Sequence, residues 1–326
     1  MIFKYYQTKK LHFFLLFLLL LFSEWVIAAR CLYISSYHKG YEWSDRIEQA
    51  IRDELKGKCE LKQFDMDTKR NRSDTYIKKV ALEAKILVET WQPDVVIVSD
   101  DNASRYVLKP YFKDHAIPFV FCGINWTVDA YGFPYKNSTG MVEVAPIVGL
   151  FDKVNSIIGK PDTAFFIGSN TLTDKKNLIR LEQEAINANI KLESGFANTM
   201  SEWLGFYQQA QNYDFVIMSN YFGIADWDPL LIQNKIKQLT EKLSVTNQRW
   251  MMPYVILGLT KIPEEQGEWA AKVALAILDG MKPSEIPIVA NRKWELWINK
   301  EILNKTNIKI PRTLLKKAKK SCGLSL

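Results

Sequence analysis

Unbroken apolar runs that end in one or two polar residues alternate along this chain with stretches of helical periodicity. The clearest run is Val95-Val96-Ile97-Val98-Ser99-Asp100, preceded by Trp91-Gln92-Pro93-Asp94. It is echoed about 120 residues later by Tyr213-Asp214-Phe215-Val216-Ile217-Met218-Ser219-Asn220. Strands buried on both faces read in this way, because both side-chain directions meet a covering helix. Around the first run the pattern predicts strands at 31–35, 61–66 and 117–122. Between them Ile47, Ala50, Ile51 and Leu55, and then Tyr76, Ile77, Val80, Ala81, Ala84, Leu87, Val88 and Trp91, fall on single helical faces. Ser44 reads as the N-cap of the first of these helices. Around the second run strands are predicted at 163–168 and 191–196, with helices at 147–158, 174–188 and from Ser201. A further helix begins at Pro229 and runs to about Leu243, and the segment 253–257 reads as a strand returning to the first unit. Strand–helix alternation of this kind means parallel sheets with right-handed crossovers.

The expected architecture is therefore α/β, with two doubly wound parallel-sheet lobes joined by a hinge. The turn-rich segment 131–140 places the first crossing just after it. The predicted divisions are a signal peptide at 1–29, a first lobe of 30–140 plus 253–290, and a second lobe of 141–252 plus 291–326 that includes a basic C-terminal tail.

The N-terminus predicts the compartment. Lys4, Lys9 and Lys10 precede the apolar run 11–22, Ser23 and Glu24 end it, and small residues follow at Ala28 and Ala29. This is the pattern of a secretory signal, and the run is short for a membrane span. Periplasmic export is the expectation. Residues 1–29 hold three lysines and one glutamate, so their removal takes the net charge from +7 to +5. Arg312, Lys316, Lys317, Lys319 and Lys320 carry that remainder, and the body is close to neutral. No basic stripe crosses the body, which argues against a nucleic-acid partner. Of the four cysteines, Cys31 opens the first strand and Cys59 precedes the second. These strands are neighbours in a doubly wound sheet, so a Cys31–Cys59 disulfide is predicted.

In such sheets ligands meet the polar residues that leave the strand C-termini. The candidate binding residues are Ser36, Tyr37, Tyr41, Trp43, Asp100, Asp101, Asn102, Asn125 and Trp126 from the first lobe. From the second they are Ser169, Asn220 and Tyr221. Aromatic faces combined with a few carboxylates and amides suit a small amphipathic or cationic ligand. Asp100 and Asp101 do not make an acid/base pair, since consecutive residues leaving a strand point apart. His38 and His115 lack metal-ligand spacing, and no nucleophile elbow, P-loop or dinucleotide fingerprint is present. No catalytic residue, cofactor or metal is expected, and the chain reads as a binder rather than an enzyme.

Several stretches carry a resemblance. They are Ser36-Tyr37-His38 with Tyr41-Glu42-Trp43, Met66-Asp67-Thr68-Lys69-Arg70, the run from Pro93 to Asn102, and Phe121-Cys122-Gly123-Ile124-Asn125. Later ones are Gly267-Glu268-Trp269-Ala270-Ala271 and the segment from Ile277 to Pro287. In these the chain resembles the ABC-transporter substrate-binding proteins of the type I periplasmic-binding fold, in the branch that includes tryptophan- and tyrosine-binding members. The resemblance implies a monomer that captures a small, amino-acid-like or aromatic solute between closing lobes and delivers it to an ABC permease. The alternatives are a periplasmic sensor read by a sensor kinase and, from another class, a secreted enzyme using Asp100 or Asp101 with Glu143. The segment 251–265 departs from the family in looking too short for a two-strand return.

Overall fold

The structure, a computed structural model, describes residues 28–321. The export signal expected at 1–29 lies outside the described residues save for Ala28 and Ala29, and Cys322 lies outside them too. The chain begins with β1 (Arg30–Ser35), β2 (Glu60–Asp65), β3 (Val95–Ser99), β4 (Phe119–Asn125) and β5 (Ser138–Glu143). It continues through β6 (Thr163–Ser169), β7 (Lys191–Ala197), β8 (Phe215–Met218), β9 (Leu243–Thr246) and β10 (Leu257–Lys261). The last strands are β11 (Val289–Ala290), β12 (Trp294–Asn299) and β13 (Lys319–Ser321). Two sheets result, ordered β11-β5-β4-β3-β1-β2 and β13-β12-β10-β9-β8-β6-β7. Every pairing is parallel except β10 with β12. The two echoed runs, β3 and β8, are interior strands of their respective sheets.

Alternation along the first-sheet strands explains why both faces are covered. Cys31, Tyr33, Val95, Ile97, Val120 and Cys122 share one cluster with the helices Glu42–Leu55 and Pro263–Leu278. Leu32, Ile34, Val96, Val98, Phe119 and Phe121 share the opposite one with the helix Asp74–Trp91. The chain thus satisfies its period-two pattern on two faces at once. The helices Glu42–Leu55 and Pro263–Leu278 approach closely at Gly267, where a Cβ would stand 2.3 Å from the Ile47 carbonyl oxygen. Glu42–Leu55 starts ahead of Ser44, with Tyr41 at its N-cap position, and Asp45 instead accepts the Gly40 N–H at 2.9 and 3.0 Å.

The lobes are joined by three crossings, between β5 and the helix Ile147–Ile158, between β10 and Pro263–Leu278, and between β11 and β12. This corrects the sequence reading, which assigned 253–290 as a block to the first lobe. Residues 249–254 form a 3-10 segment and β10 pairs with β9 and β12, so the return crossing comes after Lys261. The helix expected to reach Leu243 ends at Leu239, and β9 follows. β9 overlaps that expected helix only at Leu243 and lies ahead of the segment 251–265 that looks too short for two strands. β5 also replaces part of the expected turn region, because Gly140 lets the backbone pass a Phe121 ring only 2.1 Å from where a Cβ would lie. The basic tail is described as far as Ser321, and Lys319, though largely exposed, is ion-paired with Glu295.

Cys31 and Cys59 are joined as a disulfide, with Cα atoms 6.0 Å apart, across the adjacent β1 and β2. Closing a separation of 28 residues restricts the unfolded chain. Chain-entropy arguments give such a link about 3 kcal/mol. The double variant Cys31→Ala/Cys59→Ala is expected to lose about that much in urea unfolding compared with the oxidised protein.

Candidate functional site

The C-terminal ends of β1, β3, β4 and β5 from one sheet and of β8, β9 and β10 from the other border one cleft of about 440 Å³. Its first-lobe wall holds Tyr37, Tyr41 and Trp43 from the loop after β1, with Asp100 and Asp101 after β3. Asn125 and Trp126 follow β4, and Glu143 closes β5. The second-lobe wall holds Thr173 and Asn177 on the helix Leu172–Asn187, with Asn220 and Phe222 after β8 and the loop Asn247–Trp250 after β9. Lys261, at the end of β10, forms part of the floor.

Asp100 is the most deeply placed ionisable group here, 2 % exposed, with a left-handed backbone at φ 66°. Backbone held in that region at a site is strain retained by the surrounding packing. Gly123 (φ 70°) accommodates it, because a Cβ there would lie 3.1 Å from Asp100 Oδ1. The Trp43 indole N–H donates to Oδ1 at 3.0 Å, whereas Oδ2 is buried without a partner. Burial first, then the charges of Glu143 and Asp101, hold the Asp100 carboxyl well above the usual carboxylate range. An acceptor left bare in low dielectric is costly. Such an oxygen in a cleft is suited to receive a ligand N–H.

Asp101 is occupied otherwise. It accepts from Asn125 Nδ2 at 2.8 Å and from the Tyr131 hydroxyl, so the two consecutive carboxylates do different work. Glu143 pairs with Lys261, whose ammonium also lies 5.4 Å from the Trp43 ring centre. Trp126, at φ 66°, belongs to the first lobe, yet Arg180 of the second lobe sits 5.6 Å from its ring. Phe222 is 61 % exposed at the mouth and lies 5.5 Å from the Trp250 ring. The Trp250 indole N–H is a second buried polar group with no partner.

Of the residues singled out from sequence, Tyr37, Tyr41, Trp43, Asp100, Asp101, Asn125, Trp126 and Asn220 line this cleft. Four others do not. Ser36 donates to the Ser99 carbonyl at 2.6 Å and accepts the Ala103 N–H, tying strand ends together. Asn102 donates to Thr68 at 2.8 Å. Ser169 donates to Asp174 at 2.8 Å, a carboxylate that also binds Ser219. Tyr221 stacks on Trp227 at 4.8 Å and meets Tyr254 edge-on, as part of the second-lobe packing. In each case the polar or aromatic group satisfies its own lobe. The sequence pattern does not single out the loop Asn247–Trp250 or Lys261, because β9 shows no strand signal and β10 begins where the expected strand 253–257 ends. Lys69 lies in the stretch 66–70, which carries the resemblance.

Residues 254–322 match a family model described as ABC transporter substrate binding protein. No curated protein sequence matches the chain. Among solved structures, an ABC domain in complex with L-Trp from Streptococcus pneumonia shares 17% identity at a TM-score of 0.62. That likeness covers 89% of this chain and 99% of that one. The ligand-free, open structure of a substrate binding protein with adhesive properties from Clostridium difficile shares 12% identity. Its TM-score is 0.69, over 91% of this chain and 100% of the other. This is the type I periplasmic-binding fold, and its C-terminal part carries the signature of the ABC transporter substrate-binding family. A periplasmic ribose ABC transporter from Conexibacter woesei has the same fold at 14% identity, with a TM-score of 0.56 over 85% of this chain and 95% of that one. At these identities the likeness is one of architecture. Among the described residues no helix is long and apolar enough to cross a membrane.

The raised Asp100 carboxyl makes a signed prediction. A group whose folded-state pKa exceeds its unfolded value contributes stability at low pH and loses it as the pH rises toward the folded value. Asp100→Asn keeps an acceptor for Trp43 but cannot ionise. The variant is expected to melt higher than wild type at about pH 8, by ~1 kcal/mol, and to flatten the fall in stability with rising pH. Thermal unfolding across a pH series measures both effects.

Proposed function

We propose that this protein is an exported solute-binding subunit that captures a small amino-acid-like or aromatic molecule between its lobes and presents it to an ABC permease. The observation that carries the reading is a single cleft walled by both lobes, with aromatic side chains on each wall and a bare carboxylate oxygen at its base. A ligand that touches Asp100 and Trp126 on one side, and Phe222 and Trp250 on the other, makes its full set of contacts only when the lobes are together. Its binding energy therefore biases the closed state, which is the form a transporter reads. The family match over 254–322 and the L-Trp-bound relative support a solute of this size and character. Binding, rather than turnover, is the activity that such a family and fold imply.

The chemistry of the walls suggests how the solute sits. Flat apolar groups meet Trp126 and Trp250, which desolvate large areas with little side-chain entropy lost. A primary amine or N–H meets Asp100 Oδ2 and restores the hydrogen bond that this oxygen lacks. The second-lobe amides Asn177, Asn220 and Asn247 then serve the solute's outer polar groups.

A thermal-shift panel of the common amino acids, indole derivatives and small sugars tests the proposal, because a ligand specific for the folded state raises the melting temperature. At least one aromatic or amino-acid-like compound is expected to bind. Trp126→Ala/Trp250→Ala should weaken it by about 100-fold, corresponding to the loss of a central aromatic anchor on each wall. Undiminished affinity in that variant, with its fold intact, would move the binding site elsewhere.

A further inference from the structure

Four cationic side chains line the cleft: Arg46, Lys69, Arg249 and Lys261. Three of them are ion-paired. Arg46 meets Glu264 at 2.7 Å, with Glu42 and Glu295 at 3.6 Å. Arg249 meets Glu295 at 3.6 Å and lies 3.6 Å over the Trp297 ring, and Lys261 pairs with Glu143. Lys69 differs. Among the described residues it has no carboxylate within ion-pair distance and no hydrogen-bond acceptor for its ammonium. Its contacts are the rings of Tyr37 and Tyr41, each 4.9 Å from Nζ. The two rings meet edge-to-face at 5.4 Å, so the ammonium is held by aromatic faces in a fixed place beside the cleft.

The backbone around Lys69 is also fixed. Thr68 N–H and Oγ1 both donate to the Ser36 carbonyl, at 3.0 and 2.6 Å. Asp67 is engaged by Arg70 at 2.7 and 2.8 Å and lies 3.3 Å from His38, so it is not free to turn inward as a counter-ion. Burial, above all, pulls Lys69 below the usual lysine range, and the charges of Asp100 and Glu143 act the other way. A partly buried ammonium with unused N–H donors is stabilised by an anion that reaches it.

We propose that Lys69 is the anion receptor of the cleft, so that the captured solute carries a carboxylate which docks on its ammonium. This rests on the solute-binding reading above and narrows it. One ammonium acted on by the charges of Asp100 and Glu143 suits a monoanion. A phosphate dianion would face those carboxylates with a single unpaired cation to offset them. A purely cationic solute such as a polyamine or a quaternary amine would find the Tyr37 and Tyr41 faces already occupied by a like charge. With Asp100 Oδ2 lacking a donor and Lys69 lacking an acceptor, the cleft selects molecules that carry both groups. Lys69 thereby sets specificity against amines that lack the acid.

The test is a calorimetric and thermal-shift comparison of matched pairs on the full exported protein. The probes are L-tryptophan, L-tyrosine, L-phenylalanine and L-leucine against tryptamine, tyramine, phenethylamine and isoamylamine. Wild type is expected to bind at least one acid, and at least 30-fold more tightly than the amine that lacks its carboxylate. Lys69→Met should lose that preference or invert it, because Asp100 remains to receive the amine, and Lys69→Arg should retain part of it. A merely structural lysine would lower both affinities together and leave their ratio unchanged, and that result would overturn the proposal. Equal binding of acid and amine by wild type would overturn it as well, while leaving the solute-binding reading intact. No binding of any acid or amine by folded wild type would remove both.

Discussion

Covering both faces of two parallel sheets is the constraint on which the rest of this structure depends. Helices occupy the faces, so the strand C-termini are where the chain can place polar and aromatic groups in reach of a solute. In the first lobe β1, β3, β4 and β5 deliver Tyr37, Asp100, Trp126 and Glu143 to one edge. In the second, β8, β9 and β10 deliver Asn220, the Asn247–Trp250 loop and Lys261 to the facing edge. The cleft is what two such edges make when three short crossings hold them together.

Those crossings are linked by polar contacts. Asn291, after β11, accepts the Val144 N–H at 2.7 Å, and Glu265 accepts the N–H groups of Arg292 and Lys293 at 2.8 Å each. Glu143 and Lys261 pair where the first and second crossings run side by side. These hydrogen bonds join the three connections to each other and fix the junction between the lobes. The same Glu143 charge contributes to the raised pKa of Asp100, so the junction and the base of the cleft share an electrostatic environment.

Much of the fold was legible in the apolar runs. β3 and β8 read almost letter for letter because both of their faces are buried, and the helix Ile147–Ile158 showed its periodicity without interruption. Strands that deviated from this pattern were lost. β9 is a four-residue strand, Leu243–Thr246, that follows a helix whose last turn looks as if it continues. β5 contains Ser138 and Gly140, which read as turn formers until the Phe121 ring packed over Gly140 supplies the reason for a glycine. Site residues followed the strands that carry them. The first-lobe candidates in the cleft come from strands the pattern shows, whereas Arg249 and Trp250 follow β9, which it does not show, and Lys261 ends a strand whose expected place, 253–257, lies too early. Ser36, Asn102, Ser169 and Tyr221 had the right positions in sequence, but local hydrogen bonds and ring stacking claim their side chains, and periodicity does not report which partner a group chooses.

A crystal structure of the protein grown with the amino acid that gives the largest thermal shift tests the central claim most directly. The account predicts density for that molecule in the cleft between the lobes, with a nitrogen within hydrogen-bond distance of Asp100 Oδ2 and contacts to both Trp126 and Trp250. Density bound to one lobe alone, or outside the cleft, would contradict it.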